Sequence, residues 1–255
     1  MNIVASIDSA GLLAGVLAIT LLAGVVKGAV GFAMPLIMVS GLGSLLDPRL
    51  AVAGLILPIV LSNALQVLRA GWREAVAAIR DFWLYLVLVC SMILISAQFL
   101  TVIPSETMFL VLGVPVVVLC GIQLLGLRLV IPEGRRTLGA VIAGLVSGAL
   151  GGLAGTWGPP TVLYLVAIDT PKARQIVVQG VIYGLGSVML LLGHVQSGVL
   201  NRETVGLSAL LVIPAALGMW AGFRVQDQID QATFRKATLV VLMLAGLNLI
   251  RRGLV

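Results

Sequence analysis

The sequence predicts an all-α polytopic membrane protein of two inverted, homologous halves, each a broken or re-entrant helix pair followed by three longer helices. Three observations lead there. Of 255 residues, 60% are apolar, and the mean hydropathy is +1.16. Charged residues make up only 10%, against roughly 25% in soluble domains. A water-soluble fold with so few charges would expose large apolar patches, which excludes a soluble enzyme. Finally, apolar runs recur along the whole chain, and two of the breaks between them match each other in sequence.

Taken in order, the apolar runs predict helices near residues 10–26, 29–46, 50–68, 82–100 and 107–127. The second half adds 138–153, 160–168, 176–192, 204–223 and 234–250. At ~20 residues per span, the length admits about ten crossings and leaves no room for a globular domain. The first ten residues carry no Lys or Arg, so the charged start of a secretory signal is missing. Residues 10–26 therefore read as a retained membrane element. Strands are not expected, because an open sheet cannot satisfy its backbone in lipid. The 30 glycines fit the abundance of glycine in membrane helices. Cys90 and Cys120 lie inside apolar runs and read as small buried side chains, not as a disulfide or metal ligands.

Two segments are too interrupted to cross comfortably: 27–35 (KGAVGFAMP) and 151–160 (GGLAGTWGPP). Glycine costs about 1 kcal/mol in a helix interior and proline about 3. Both in one apolar region mark a helix that breaks at membrane depth, where free N–H and C=O groups are tolerable only against a protein-enclosed cavity. The breaks also expose a repeat. Gly31-Phe32-Ala33-Met34-Pro35 matches Gly155-Thr156-Trp157-Gly158-Pro159, and Asp47-Pro48-Arg49 is echoed by Asp169-Thr170-Pro171-Lys172. The division expected is 1–130 and 131–255, one membrane domain of two repeats.

Loop charges orient the chain. With Arg69, Arg73 and Arg80 inside and spans alternating, Lys27, Arg128, Arg135, Arg136, Lys172, Arg174, Arg224, Arg235 and Lys236 also fall inside. Arg49, Arg202, Arg251 and Arg252 fall outside. This bias follows the positive-inside rule and places both termini outside, although the Arg251-Arg252 pair runs against it. It also explains the net charge of +6 without nucleic acid as a partner.

Polar residues at membrane depth are expensive, so they are the first candidates for function. Lys27 is the only charge in the apolar stretch 10–46; it either snorkels to the surface or gives positive charge to an anion site. Helices starting at Pro35 and Pro160 would aim free N–H groups and partial positive charge into the membrane. The competing reading is close helix contact, since Gly24/Gly28, Gly144/Gly148/Gly152 and Gly151/Gly155 have small-xxx-small spacing. Nearby stripes, Ser62, Asn63 and Gln66 in one half and Gln175, Gln179 and Tyr183 in the other, serve either as interhelical glue or as a solute path. Thr156 and Trp157 join the second set. Arg174 and Arg49 could attract anions at opposite mouths.

All ten Asp and Glu sit near predicted loops, which argues against a metal-cation channel or a carboxylate proton relay. No cofactor or metal is expected. His194 is expected as an interfacial polar tip instead of a proton coupler.

The segments ending in GFAMP and GTWGPP resemble those of the TauE/SafE family of membrane transporters, over nearly the whole chain. Members are implicated in moving sulfite, organosulfonates and related small anions, usually outward. The resemblance implies two homologous helical halves whose glycine–proline segments face each other across the translocation site, in the bacterial cytoplasmic membrane. It places the motif on Gly28, Gly31 and Pro35, then on Gly151, Gly152, Gly155, Gly158 and Pro159. The expected function is a secondary transporter or facilitator of a small anion, working by alternating access. No GxxxxGK[ST] loop points to ATP. The partners are that anion and the lipid bilayer; oligomeric state is not encoded legibly. Two alternatives stand beside this: a non-transporting scaffold, and an intramembrane serine hydrolase built on Ser147 and His194.

Overall fold

The computed structural model describes residues 10–101, 104–126, 130–226, 228 and 230–254, and among these every regular element is a helix. In the first half they are α1 (Ala10–Val30), α2 (Met34–Leu42), α3 (Pro48–Ala70), α4 (Trp72–Asp81), α5 (Trp83–Ala97) and α6 (Ser105–Leu124). In the second they are α7 (Arg136–Ala154), α8 (Gly158–Ala167), α9 (Lys172–Gln196), α10 (Val205–Gln226) and α11 (Gln231–Leu254). Six candidate spans, lying on α1, α3, α5, α7, α9 and α10, are long and apolar enough to cross a membrane. Many large apolar side chains on them are exposed, including Leu22, Leu138, Ile213 and Trp220. That is the surface a lipid environment requires. The chain is an integral membrane protein.

The expectation of about ten crossings is corrected by α2 and α8. With 9 and 10 residues they extend only about 14–15 Å, half of a ~30 Å hydrocarbon core. They begin where the breaks were read. Gly31 (φ 82°) and Gly155 (φ 66°) both adopt the left-handed conformation just past α1 and α7, a position glycine takes without steric cost. Prolines then occupy the first turns of α2 and α8, where a missing N–H removes no helical bond. The same interval separates Gly31 from Gly155, Met34 from Gly158 and Pro48 from Lys172, so the sequence match is a match of helix ends.

One element had no counterpart in the sequence reading. Residues 72–81 form α4, a short amphipathic helix that buries Ala75 and Ala78 and packs on α9. Its exposed Trp72, Val76 and Ile79 are too few and too mixed with Arg73, Glu74 and Arg80 to register as an apolar run.

α1 packs along α10 and α7 along α5, so the helix before each break is held by a helix from the opposite half of the sequence. α6 packs on α11, and α3 lies against both α9 and α10. Glycine makes the tightest contacts possible. A Cβ on Gly24 or Gly28 of α1 would run into the backbone of Ala215 or Met219. Added to Gly218 or Gly222 of α10, it would strike Leu21 or Val25. On α7, one at Gly152 would strike Ser96 and the α5 backbone at Ile93. Lipid tails are as apolar as the side chains, so such close backbone packing replaces the hydrophobic drive between helices.

Gly152→Val should therefore lower stability by about 1–3 kcal/mol, the usual cost of overpacking. Gly11→Ala, where an added Cβ meets nothing within 4 Å, should leave it unchanged. Thermal unfolding in detergent checks both.

Candidate functional site

The two chain breaks meet. Phe32, between α1 and α2, lies against Gly158 at the start of α8: a Cβ there would come within 3.3 Å of the phenyl ring. Between them is a small cavity lined by Lys27, Phe32, Ala33, Pro35, Leu36, Asn63, Gly155, Thr156, Trp157, Gly158 and Tyr183. Its free space is about 20 Å³, room for about one water molecule.

Lys27 sits in the last turn of α1, inside the helix and not in the break, and is 2% exposed. The snorkelling alternative is thereby corrected: the side chain turns inward. Its ammonium donates to Asn63 Oδ1 at 2.5 Å and to Gln66 Oε1 at 3.5 Å. It also lies 5.8 Å from the centre of the Tyr183 ring, within cation–π range. No carboxylate pairs with it among the described residues. A buried cation thus rests on two neutral amide oxygens and an aromatic face.

The partners are themselves fixed. Asn63 Nδ2 donates to the Tyr183 carbonyl at 2.9 Å, which sets the amide's orientation and turns its oxygen toward Lys27. Tyr183 Oη donates to the Gly158 carbonyl at 3.4 Å, and Trp157 stands 6.4 Å from the Tyr183 ring, tilted by 56°. Thr156 Oγ1 donates to the Leu150 carbonyl at 3.1 Å, closing off α7. Spacing alone put Asn63 and Gln66 on one face of α3; packing brings that face to Lys27.

The remaining candidates are dispersed. Gly28 faces α10 at Met219 and is a packing residue. Gly31 leaves room for the Gln66 amide, 3.3 Å from where its Cβ would be. Gly151 packs on Trp157 and Ile93. Pro159 falls in the first turn of α8; its side chain lies outside the described ones. Gln179 is buried and Gln175 half-buried on α9, and neither lines the cavity. The picture of many free N–H groups at the half-helix starts also needs correction. Pro35, Pro159 and Pro160 bring no N–H, and the Thr161 N–H already donates to Trp157 O. What remains there is the helix dipole and a few backbone donors.

Two further expectations change. Arg174 does not stand free at a mouth: it pairs with Asp81, and with Glu74 at 3.3 Å, binding α9 to α4. His194 is no interfacial tip: it is fully buried, with Nδ1 3.5 Å from Ser197 Oγ. Ser147 is elsewhere, 2.8 Å from Tyr85 Oη and 3.4 Å from Thr161 Oγ1, so the Ser–His pairing that a hydrolase needs is not made. The described residues contain no group of three His, Cys, Asp or Glu side chains fit to hold a metal.

Fold and cavity together define a polytopic helical membrane protein with a cationic, aromatic-lined pocket between two broken helices. The sulfite exporter TauE/SafE family model matches residues 16–249, and the chain belongs to that family. No curated protein and no solved structure matches it. The family is one of exporters, which supports a transport role and accords with a chain that is not an enzyme.

Asn63→Leu should strand the Lys27 charge and cost about 1.5–3 kcal/mol, the value of a hydrogen bond to a charged group. Asn63→Leu combined with Lys27→Met should recover part of the loss, read as a coupling energy from thermal melts of the four proteins.

Proposed function

We propose that this protein moves a small sulfur-containing anion, sulfite or an organosulfonate, across the bacterial cytoplasmic membrane. The anion binds where the two breaks meet and supplies the negative charge that Lys27 lacks. One observation carries the reading: a buried lysine with no carboxylate partner among the described residues lines the cavity between both breaks. Burying a charge away from water is costly unless it is paired, and a solute anion offsets that cost in a way that Asn63 and Gln66 alone do not. The aromatic rings of Trp157, Phe32 and Tyr183 suit the less polar part of a sulfonate. Family membership supports the cargo class.

A cavity of about 20 Å³ does not admit such an anion as it stands, so transport requires its walls to part. We take the two halves, 1–130 and 131–255, as inverted repeats that rock against each other, with both termini outside. Three features support this: the equal interval between the two sets of helix ends, the pairing of α1 with α10 and of α7 with α5 across the halves, and the charge bias of the loops. The half-helices α2 and α8 then act as the moving walls, since their flanking residues carry the positive φ angles.

In proteoliposomes, wild-type protein should carry radiolabelled sulfite and a simple organosulfonate. Lys27→Met should weaken binding of either about ten- to hundred-fold, as expected for one charged hydrogen bond. Gly155→Leu should block flux while the protein remains inserted. Wild-type flux in Lys27→Met would remove the lysine from the pathway, and a thermal-shift panel of sulfite, thiosulfate, sulfoacetate and taurine would then show whether any anion binds at all.

A further inference from the structure

A second, much larger cavity lies away from the breaks, between α6, α7 and α8. It is an open groove of about 440 Å³, walled by apolar side chains such as Leu119, Ile131, Leu138, Ile142 and Val146, with Arg135 at one end. Leu138, Ile142 and Val146 fall at successive turns of α7 and are exposed, so no part of the described chain covers them. The corresponding place in the first half is filled. There α11 packs on α2: Asn248 Nδ2 donates to Ser40 Oγ at 3.3 Å, and the Arg252 guanidinium stacks 4.5 Å from the Phe109 ring beside Gly43. In the second half α6 packs less closely on α8, and the groove opens beside them along the exposed face of α7.

We propose that this groove binds one acyl chain of an anionic phospholipid, with the headgroup phosphate held by Arg135. Three observations select that occupant. The walls are apolar along α7 from Leu138 to Val146, about two turns of a candidate membrane span, which suits a hydrocarbon tail. Among the described residues, the only charged one lining the groove is an arginine, the side chain best matched to phosphate. It lies next to Arg136 at the start of α7, one end of a candidate membrane span, and basic pockets between membrane helices take anionic headgroups. Arg136 pairs with Glu133 at 3.5 Å, whereas Arg135 lines the groove itself.

The groove also touches the transport machinery. Its wall includes Pro160 and Tyr164 of α8. Tyr164 stacks on Tyr85 with ring centres 5.1 Å apart, Tyr85 Oη lies 2.9 Å from Thr161 Oγ1, and Thr161 Oγ1 donates to Trp157 O at 2.7 Å. A tail in the groove therefore presses on the half-helix that ends at the anion cavity. The lipid site itself stands whether or not the anion reading holds.

Native mass spectrometry of the full chain in detergent tests it, with dioleoyl phosphatidylglycerol and dioleoyl phosphatidylcholine as probes. We expect one retained phosphatidylglycerol and no comparable phosphatidylcholine adduct. Arg135→Ala should lower that retention about ten-fold, and Ile142→Trp, which fills the groove from a lipid-facing position, should abolish it. Glycerol phosphate, a headgroup without tails, should not bind. Equal retention of the two lipids, or phosphatidylglycerol retention unchanged in both variants, would overturn the proposal. So would a dimer that Ile142→Trp dissociates, since a second copy would then be the occupant.

Discussion

The interior of this protein is organised around a buried lysine that has no carboxylate partner among the described residues. Lys27 lies in the last turn of α1, and the described groups around its ammonium are two amide oxygens and a tyrosine ring. Those neighbours come from α3 and α9, so three helices are fixed relative to one another by the need to solvate a single cation away from water. Asn63 is central because it serves both sides, accepting from Lys27 and donating to the Tyr183 backbone. A carboxylate in its place would have neutralised the site internally. Neutral amides satisfy the ammonium's geometry and leave its charge available.

The broken helices supply the rest of the arrangement. Backbone freed from helical bonding cannot face hydrocarbon, so Gly31 and Gly155 bring their breaks together in the interior, where Phe32 meets Gly158. Proline at the start of each half-helix stops the preceding helix from running on, and it also removes N–H donors. The site is therefore poor in hydrogen-bond donors and depends on Lys27 for most of its attraction to an anion. Glycine packing of α1 on α10 and of α7 on α5 gives this centre a close-fitting frame.

Much of this was legible in the sequence for physical reasons. Hydropathy and charge scarcity gave the helical membrane class because lipid tolerates little else. The paired breaks could be read because glycine and proline carry strong backbone preferences that do not depend on neighbours. Lys27, Asn63, Thr156, Trp157 and Tyr183 stood out as costly polar or aromatic groups near those breaks, and the cavity collects them. Misreadings arose where partners decided. Lys27 and Gly28 are helical because α10 and α3 hold them there. Arg174 is engaged because α4, a helix with too short an apolar face to notice, delivers Glu74 and Asp81. His194 is buried because α9 continues to Gln196 with α5 beside it.

The sequence by itself determined which segments enter the bilayer and where two of them must break, since both follow from local transfer and backbone energies. Only the tertiary structure decided that the breaks adjoin, that Lys27 points inward to Asn63 and not outward to the surface, and that one flank is left as an open groove. Those are choices between helix faces. In a chain whose lipid-facing and protein-facing surfaces are equally apolar, pattern cannot distinguish one face from another, and contact must.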